Sequence, residues 1–337
     1  MIHTLTLSAR SLTAAITAMT LCASLASAQN NPAGSLMVFS EFDNRAGVTN
    51  VITVTNTSSD HGIKVEFVYI GRLLNGGEEI TCSEFNRTET LTPNDQFTFL
   101  TKEHNPQLEQ GYVYAFAKDL VTNQPVAFDY LVGSMIKVDT IYVLDYGVNP
   151  TVFQAAESLA LLDETDIDGD GYRDLNGEEY SMAADEIIIP RFFGQAYQHV
   201  SWLHLISLTG GTQFETTLDF LIYNDNEEVF SSEYTFNCWD KVMLTDISAV
   251  FDNLYLQNFT NDDPDEIFGF PDLNTGWIRI NGGVASSSAV SFPDPAFIAV
   301  LSEGVRTLQV ADLPFTRGFQ ANGDLLPRAV GGDTIGN

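Results

Sequence analysis

The sequence is short of positive charge. Its 337 residues hold 15 Lys and Arg against 45 Asp and Glu, which gives a formal net charge of −30. An acidic surface repels the phosphates of nucleic acids and the headgroups of anionic lipids, so partners of these two kinds are disfavoured. Apolar residues make up 44% of the chain, an ordinary fraction for a globular protein, which excludes a wholly disordered chain.

Long apolar runs are absent after the N-terminal segment. Residues 1–28 contain one basic residue, Arg10, followed by an apolar stretch that ends in the Ala-Ser-Ala of residues 26–28. This order predicts a secretory signal peptide that is cleaved before Gln29. The sequence therefore predicts a secreted, periplasmic or cell-surface protein that has no transmembrane anchor once the signal peptide is removed.

Familiar catalytic motifs are absent as well. The chain contains no G-x-S-x-G, H-E-x-x-H, P-loop or dinucleotide-binding glycine pattern. His199 and His204 are five residues apart, a spacing that places them on opposite faces of a regular strand. We therefore expect a protein that is not an enzyme. An unrecognised hydrolase that uses a pair of carboxylates is an alternative.

Alternating apolar and polar residues dominate the rest of the chain. Ile52 and Val54 alternate with Thr53 and Thr55, and similar runs are separated by clusters of Asn, Ser, Asp and Gly. A period of two bounded by such clusters predicts half-buried antiparallel strands, and no convincing amphipathic helix interrupts them. The sequence therefore predicts an all-β protein.

The alternating pattern occurs twice, at a constant offset of 151 residues. The aligned pairs are Leu36 with Ile187, Phe42 with Phe193, Ile52 with Leu203, Val54 with Leu205, Phe67 with Leu218 and Tyr69 with Phe220. An ordered series of this kind favours a duplicated domain, with convergent β patterning as the alternative. Each unit has the length and turn spacing of an Ig-like sandwich, and a jelly roll is the other class considered.

We therefore predict two tandem Ig-like antiparallel β-sandwich domains, at residues 29–140 and 186–311. An acidic connector, residues 141–185, joins the two sandwiches. A flexible tail, residues 312–337, follows the second sandwich.

The connector region carries the strongest motif of the chain. Residues 161–186 contain ten carboxylates and a single cation, Arg173. Four of the carboxylates occupy positions 1, 3, 5 and 9 of one loop: Asp166, Asp168, Asp170 and Asp174. Alternate carboxylates turn inward on a hard cation, Gly171 at position 6 makes the sharp turn, and the carbonyl of Tyr172 supplies a backbone oxygen. Over about a dozen residues this loop resembles the calcium loops of EF-hands, dockerins and thrombospondin type 3 repeats.

The loop departs from that pattern at its end. Position 12, which usually carries a bidentate acid, is Gly177, and Glu178 and Glu179 follow it. One of these two glutamates, or a carboxylate from a sandwich, would close the site. The predicted calcium ligands are Asp166, Asp168, Asp170, Tyr172, Asp174 and Glu178. An acidic solvated linker is the alternative; with the ion bound, the connector becomes a strut between the sandwiches.

Two cysteines, Cys82 and Cys238, remain after removal of the signal peptide, at matching places in the two repeats. In an oxidising compartment a disulfide between them would join the domains, which requires an approximately twofold packing of the sandwiches. Otherwise each cysteine is a small buried apolar residue. The sequence leaves both alternatives open.

These features favour an exported, non-enzymatic structural or interaction protein of the cell surface or envelope. Its expected cofactor is calcium and its partner an unknown extracellular protein or glycan. The arrangement is similar to that of secreted proteins of environmental bacteria, a resemblance that implies no activity. The alternative function is a carbohydrate-binding protein accessory to polysaccharide degradation, which would use exposed tryptophans on one sandwich face.

Overall fold

Antiparallel β-strands make up most of the protein, as the alternating patterns predict. The computed structural model describes residues 32–74, 82–196, 199–209, 214–261, 273–305 and 308–325. The predicted signal peptide and the residues after 325 lie outside this range. Ile52 and Val54 are buried while the alternating Thr53 and Thr55 are partly exposed, so the period of two reflects the two faces of a strand.

The first half of the chain forms two packed sheets. Sheet 1 contains β1 (Leu36–Asp43), β3 (Ile63–Leu73), β4 (Ser83–Leu91), β6 (Leu108–Lys118) and β9 (Thr151–Phe153), in the spatial order β4-β3-β6-β1-β9. Sheet 2 contains β2 (Val48–Asn56), β5 (Gln96–Leu100), β7 (Leu131–Asp139) and β8 (Leu144–Val148), in the order β5-β2-β7-β8. Phe67 of sheet 1 packs edge-on against Phe99 of sheet 2, with ring centroids 5.2 Å apart. The two sheets therefore enclose one sandwich core.

The second half also forms two packed sheets. Sheet 3 contains β11 (Glu186–Phe193), β13 (Glu215–Asn224), β14 (Val229–Phe236), β16 (Thr275–Ser286), β17 (Ser291–Pro293) and β20 (Phe315–Arg317), in the order β14-β13-β16-β11-β20 with β17 beside β16. Sheet 4 contains β12 (His199–Ser207), β15 (Trp239–Met243), β18 (Phe297–Val305) and β19 (Leu308–Asp312), in the order β15-β12-β18-β19. A two-stranded ribbon pairs β10 (Arg173–Leu175) with β21 (Gly323–Leu325).

The two halves have the same strand order. The order β4-β3-β6-β1-β9 of sheet 1 recurs in sheet 3 as β14-β13-β16-β11-β20, and the order of sheet 2 recurs in sheet 4. The irregularity between Phe39 and Phe42 in β1 recurs between Ile189 and Phe192 in β11. This agreement supports the predicted internal repeat. That the halves are independent domains with the predicted boundaries stays a prediction.

The register shifts the predicted alignment in two strands. Phe42 lies opposite Gly111 of β6, and Phe192 lies opposite Gly276 of β16. Phe42 therefore corresponds to Phe192 and not to Phe193. Gly71 of β3 and Asn224 of β13 lie opposite the same two glycines, so β3 and β13 are related by an offset of 153 residues. Strands β2 and β12 keep the predicted offset of 151 residues. A constant offset fails because the connections between strands differ in length.

The strand order shares two pairings with immunoglobulin sandwiches. In both, the third strand neighbours the sixth and the second neighbours the fifth. In this protein, however, the first strand pairs with the sixth, whereas the first immunoglobulin strand lies in the sheet of the second. The fold is thus an antiparallel β sandwich in each half, and the finer Ig-like class stays a prediction.

Sheet 4 lies between the two cores. Leu203 and Leu205 on one face of the sheet belong to the second core, whereas Ile206, Ile298 and Val300 on the other face belong to the first. Strand β1 contacts β12 and β18, and β6 contacts β15. The face of sheet 1 that points away from sheet 2 is therefore covered by the second half, and the chain from Ala33 onward forms one compact unit.

A buried group of charges lies where the halves meet. Glu41 of β1 accepts hydrogen bonds from Lys137 Nζ at 2.7 Å and from Lys241 Nζ at 3.0 Å. Burial raises the pKa of the Glu41 carboxyl, but the positive charges beside it outweigh burial and hold the pKa well below its usual range. Burial lowers the pKa of neighbouring His204 to about 3, so this imidazole is neutral near neutral pH and shares a hydrogen bond with Ser302. Glu41 thus ties a lysine of each half to one carboxylate.

Cys82 and Cys238 form a disulfide, with their Cα atoms 6.4 Å apart. The two cysteines are not at matching places, which corrects the sequence alignment. Cys82 immediately precedes β4, whereas Cys238 follows β14 and immediately precedes β15. The bond therefore joins sheet 1 to sheet 4 without a twofold relation between the sandwiches.

The connector is shorter than predicted, because two segments of its predicted range belong to the first sandwich. Residues 144–148 and 151–153 form β8 and β9, which pair with β7 and β1. In the remainder, Leu175, Tyr180 and Ala183 are buried in the first core. The connector is therefore anchored on the sandwich by its apolar side chains.

Part of the predicted flexible tail belongs to the fold. Strand β20 pairs with β11 at the edge of sheet 3, and β21 pairs with β10 of the connector. Leu325 at the end of β21 is buried in the first core. The period-two signal is too short to be recognised in strands of three residues.

Among the described residues the helices are short and lie between strands. They are α1 (Thr101–His104), α2 (Leu244–Ile247), a 3₁₀ turn (Ala249–Phe251) and α3 (Asn253–Phe259). Within the part of the chain that the structure describes, no helix combines the length and the apolar character needed to cross a bilayer.

Candidate metal centre in the connector

The acidic loop folds around the glycine that the sequence singles out. Gly171 has a φ of +87°, the left-handed conformation that the turn at position 6 requires. Backbone N–H groups in the turn donate to carboxylates of the loop: Gly171 N to Asp166 Oδ1 at 3.4 Å and Tyr172 N to Asp170 Oδ1 at 2.8 Å. These bonds hold the side chains on the inner side of the turn.

Five carboxylates of the connector come together in two overlapping sets. The first set is Asp166, Asp168 and Glu179, and the second is Asp168, Asp170 and Asp174; in each set, one oxygen from every residue lies within 4.8 Å of the others. Asp168 belongs to both sets. The structure thus brings together all four predicted aspartates, and oxygen-rich clusters of this kind suit a hard divalent cation.

The glutamate that joins the cluster is Glu179, whereas the predicted ligand Glu178 is exposed. The cause is a turn at Asn176 and Gly177, where Gly177 has a φ of +86°. The Asn176 side-chain oxygen accepts hydrogen bonds from the backbone N–H of both glutamates, at 2.7 and 3.1 Å. The Glu179 carboxylate is thereby turned back into the loop, where it accepts from Ile167 N at 2.8 Å and Asp174 N at 3.1 Å.

The predicted carbonyl ligand, Tyr172, has a different partner. Its carbonyl oxygen accepts a hydrogen bond from Nη1 of Arg173, and the Gly171 carbonyl accepts from Nη2 at 3.2 Å. The same guanidinium lies 4.8 Å from the ring centroid of Phe116 and 3.9 Å from Asp166. Arg173 therefore fastens the loop to sheet 1 and donates to the Tyr172 carbonyl; that this carbonyl binds the ion stays a prediction.

A sixth carboxylate reaches the site from the far end of the chain. Asp324 of β21 lies directly opposite Asp174 of β10 in the ribbon. Like charges that face each other across strands are destabilising unless something neutralises them. The sequence did not indicate this residue because it lies in the predicted tail. No local pattern predicts that the three-residue strands β10 and β21 pair.

Burial and mutual repulsion disturb the titration of the cluster. Burial, followed by the charges of Asp170 and Asp324, raises the pKa of Asp174 to about 6. Burial also raises the pKa of Glu179, with hydrogen bonds from the backbone opposing it and the charge of Asp174 adding to it. Without a cation the cluster therefore resists full ionisation below about pH 6, and a bound divalent ion removes that penalty.

The titration of Asp174 predicts how stability depends on pH. In chelated protein the folded state binds this proton up to about pH 6, whereas the ordinary value is 3.8, so stability should fall as pH rises through that interval. Asp324→Asn removes one of the charges that raise the pKa and should lower it. A carboxyl carbon NMR titration of Asp174 measures the change, with Asp219→Asn on the exposed side of β13 as the control. An unchanged pKa in Asp324→Asn would contradict the proposed repulsion.

A cavity in the second half bears on the hydrolase alternative. It has a volume of about 410 Å³ and lies beside α3. Its lining residues are Thr245, Ala249, Asp252, Leu254, Tyr255, Asn258 and Phe259. The one carboxylate among them, Asp252, caps α3 by accepting from the N–H groups of Leu254 and Tyr255. This cavity therefore offers no carboxylate pair.

The three tryptophans occupy different environments. Trp239 is buried, and Trp202 is packed between Tyr142 and Lys241. Trp277 lies on the outer side of sheet 3, where its ring stacks on that of Tyr223 at 4.0 Å and 4°. Sugars stack on exposed ring faces, and in this pair one face of each ring is covered by the other ring. The tryptophans thus form no continuous row, which does not favour the carbohydrate-binding alternative.

Comparisons with known proteins add little to this geometry. No family model and no curated protein matches the chain. Among solved structures, a chain from the naturally occurring empty particles (top component) of cowpea mosaic virus aligns at 9% identity over 85% of this chain and 80% of that chain. The TM-score is 0.16, so the likeness carries no argument about fold or function.

Proposed function

We propose that the protein is an exported, non-enzymatic structural or interaction protein of Ig-like sandwiches whose connector is stiffened by calcium. The observation that carries the proposal is the convergence of Asp166, Asp168, Asp170, Asp174 and Glu179. The predicted signal peptide and the disulfide between Cys82 and Cys238 support an oxidising compartment outside the cytosol, in the periplasm or at the cell surface. Its partner is an extracellular protein or glycan.

Calcium is the ion that the site suits best. The cluster offers several carboxylates on a flexible loop, and Ca²⁺ accepts six to eight oxygen ligands in irregular geometry, whereas Mg²⁺ demands an octahedral arrangement and keeps most of its waters. An extracellular module of this kind binds calcium with a dissociation constant of about 10⁻⁴ to 10⁻³ M. The resemblance of the loop to those of EF-hands, dockerins and thrombospondin type 3 repeats points the same way.

The ion's place in the fold defines its role. The sandwiches already share a core, a disulfide and the Glu41 charge group, so the ion is not needed to join them. The cluster instead lies on the connector loop and beside the β10–β21 ribbon. We infer that calcium fastens the connector and the end of the chain to the first sandwich, by neutralising carboxylates that otherwise repel one another.

Hydrogen exchange tests this role. In calcium, amides of residues 163–180 and 323–325 should exchange at least about tenfold more slowly than in chelator, because the loop opens less often; tenfold corresponds to about 1.4 kcal/mol of local stability. Peptides from β2 in the first sandwich are the internal control and should not change. Equal exchange of the connector in both conditions, or a uniform slowing of the whole chain, would contradict a local calcium clamp.

A further inference from the structure

Strand β14 is the open edge of sheet 3. Among the residues that the structure describes, β14 pairs with β13 alone, and no strand pairs with its other side. Asn224 N donates to Glu228 O at 3.2 Å, so this pair and every second pair along the two strands are hydrogen-bonded. The N–H and C=O groups of Ser231, Glu233 and Thr235 therefore point away from β13, where they can pair with a further strand.

Strand β14 lacks most of the features that protect the edge of a sheet. It contains no proline and no lysine, and its register with β13 has no bulge. The corresponding edge of sheet 1, β4, carries three charged side chains, Glu84, Arg87 and Glu89, whereas β14 carries one, Glu233. Charged side chains on an edge oppose pairing with other chains, so β14 is the less protected of two equivalent edges.

Two acids lie side by side at this edge. Asp219 of β13 and Glu233 of β14 are directly opposite each other, and both side chains are exposed. Within the described part of the chain, neither carboxylate forms an ion pair. Like charges that lie directly opposite each other on neighbouring strands are destabilising. The pair therefore favours a cation beside it.

The first half of the chain neutralises the corresponding acid with a lysine. The register matches Asp219 to Glu66 of β3, and Glu233 to Thr88 of β4. Glu66 accepts a hydrogen bond from the Thr88 hydroxyl and forms an ion pair with Lys118 Nζ at 3.3 Å. The first half thus places one acid beside one cation where the second half places two acids.

A glycine replaces that lysine in the second half. Counted from the matched glycines Gly111 and Gly276, Gly283 stands at the place of Lys118. A Cβ atom added to Gly283 would lie 3.2 Å from Asp219 Oδ2, so this place is next to the acid pair. The described part of the second half therefore supplies no cation where the first half supplies one.

We propose that an extended segment of a basic partner protein pairs with β14 as a further strand of sheet 3, with a lysine or arginine beside Glu233. The backbone groups of β14 supply the hydrogen bonds, as in other complexes formed by strand addition. Cβ atoms of one row are about 5 Å apart on neighbouring strands, close enough for an ion pair. The partner's alternate side chains lie beside the half-buried Phe230 and Tyr234, where apolar residues fit best.

The charges also select among the possible partners. A second copy of the chain would bring another pair of Asp219 and Glu233 to the same edge, and the net charge of −30 would add to the repulsion. A glycan has no strand to add. A basic protein segment supplies both the backbone groups and the cation.

This inference deepens the proposed interaction role, on which it rests, by naming the class of partner. The two can fail separately, because the partner pairs with sheet 3 and the calcium site lies in the connector. A chain that binds calcium but no basic strand would overturn the partner alone. A chain that binds the strand without a response to calcium would overturn the clamp alone.

A fluorescein-labelled peptide of sequence Thr-Val-Lys-Ile-Lys-Val-Thr is the probe. Its lysines alternate with apolar residues, so both lysines lie on one side of an extended strand. Fluorescence anisotropy should show saturable binding to wild type. The same peptide with glutamate in place of both lysines should bind at least about tenfold more weakly, because its charges repel the acid pair.

Two variants of β14 and two matched controls locate the binding. Glu233→Lys should weaken binding of the lysine peptide at least about fivefold. Ser231→Pro removes an N–H group that points away from β13, so it should keep the fold, which circular dichroism verifies, and abolish binding. The controls are Glu157→Lys, an exposed charge change in the connector, and Thr90→Pro, at an exposed position of β4. Both controls should bind like wild type.

Hydrogen exchange and sedimentation complete the test. The bound peptide should slow exchange of the β14 amides and leave those of β4 unchanged, and wild type without peptide should sediment as a monomer. The proposal would be overturned by an absence of saturable binding, by equal binding of the glutamate peptide, or by unchanged binding in Ser231→Pro. A wild type that pairs with itself through β14 would also overturn it, because the partner would then be a second copy.

Discussion

Replacing Glu41 with glutamine should lower the free energy of unfolding by about 3 to 5 kcal/mol, the cost of removing one partner of a buried ion pair. Glu41 Oε2 accepts from Lys137 and Lys241, whose side chains are buried. In Glu41→Gln the two ammonium groups face each other across a neutral amide. Asp139, 3.8 Å from Lys137, keeps an ion pair with that lysine but is too distant to replace the lost hydrogen bond.

Two further variants separate this effect from an ordinary loss of an ion pair. Lys137→Met should cost less than Glu41→Gln, because Glu41 keeps its bond to Lys241. Glu66→Gln breaks the more exposed pair with Lys118, at 3.3 Å, and should cost about 1 kcal/mol or less. Urea unfolding of the three variants measures the order. If Glu41→Gln were no more costly than Glu66→Gln, the charge group would not hold the halves together.

The dependence of the free energy of unfolding on pH below 4.5 provides a second test of the role of Glu41. Its folded pKa lies below the ordinary value of 4.5, so the unfolded chain binds the proton first as pH falls. The stability that Glu41 contributes is present above pH 4.5 and is lost below it. The Glu41→Gln variant should therefore lose less stability than wild type between pH 4.5 and acid unfolding.

Local patterns were sufficient to predict the longer strands of the two sandwiches and the acidic loop. The alternation of Ile52 and Val54 with threonines reports the two faces of β2 directly, and the glycine at position 6 reports the turn of the loop. Both signals lie within a few residues of the structure that they determine. For the same reason, the four aspartates of the loop are all found in the cluster.

Features that depend on loop geometry or on distant pairing could not be predicted in the same way. Glu179, and not Glu178, joins the cluster because Asn176 and Gly177 form a turn. The Asn-Gly pair is the one sequence feature that indicates this turn. Asp324 reaches Asp174 only through tertiary pairing. The shifts in repeat offset likewise arise in connections whose lengths differ between the halves.

The packing of the halves was beyond the reach of the sequence for a further reason. Tyr112 and Tyr114, on the face of sheet 1 that points away from sheet 2, alternate with core residues in β6. The strand is therefore apolar on both sides. Such a run predicts a strand covered on both faces but does not say what covers it. Sheet 4 covers that second face, so the two sandwiches meet in a shared interface and are not joined through the connector alone.

The second large effect concerns calcium affinity and the residue common to both sets of carboxylates. Asp168→Asn should weaken calcium binding at least tenfold, because Asp168 supplies an oxygen to each set. At 10 mM calcium, wild type should gain about 1.4 to 2.7 kcal/mol of stability over chelated protein, from a dissociation constant of about 10⁻⁴ to 10⁻³ M. A tenfold weakening in the variant should remove about 1.0 to 1.3 kcal/mol of this gain.

Calorimetric titration of calcium into chelated protein tests the central claim most directly, with Glu179→Gln and Glu178→Gln as a matched pair. The account predicts one binding event in wild type, the same event in Glu178→Gln, and its loss in Glu179→Gln and Asp168→Asn. No binding heat in wild type at several temperatures, or loss of binding in Glu178→Gln with retention in Glu179→Gln, would contradict the account.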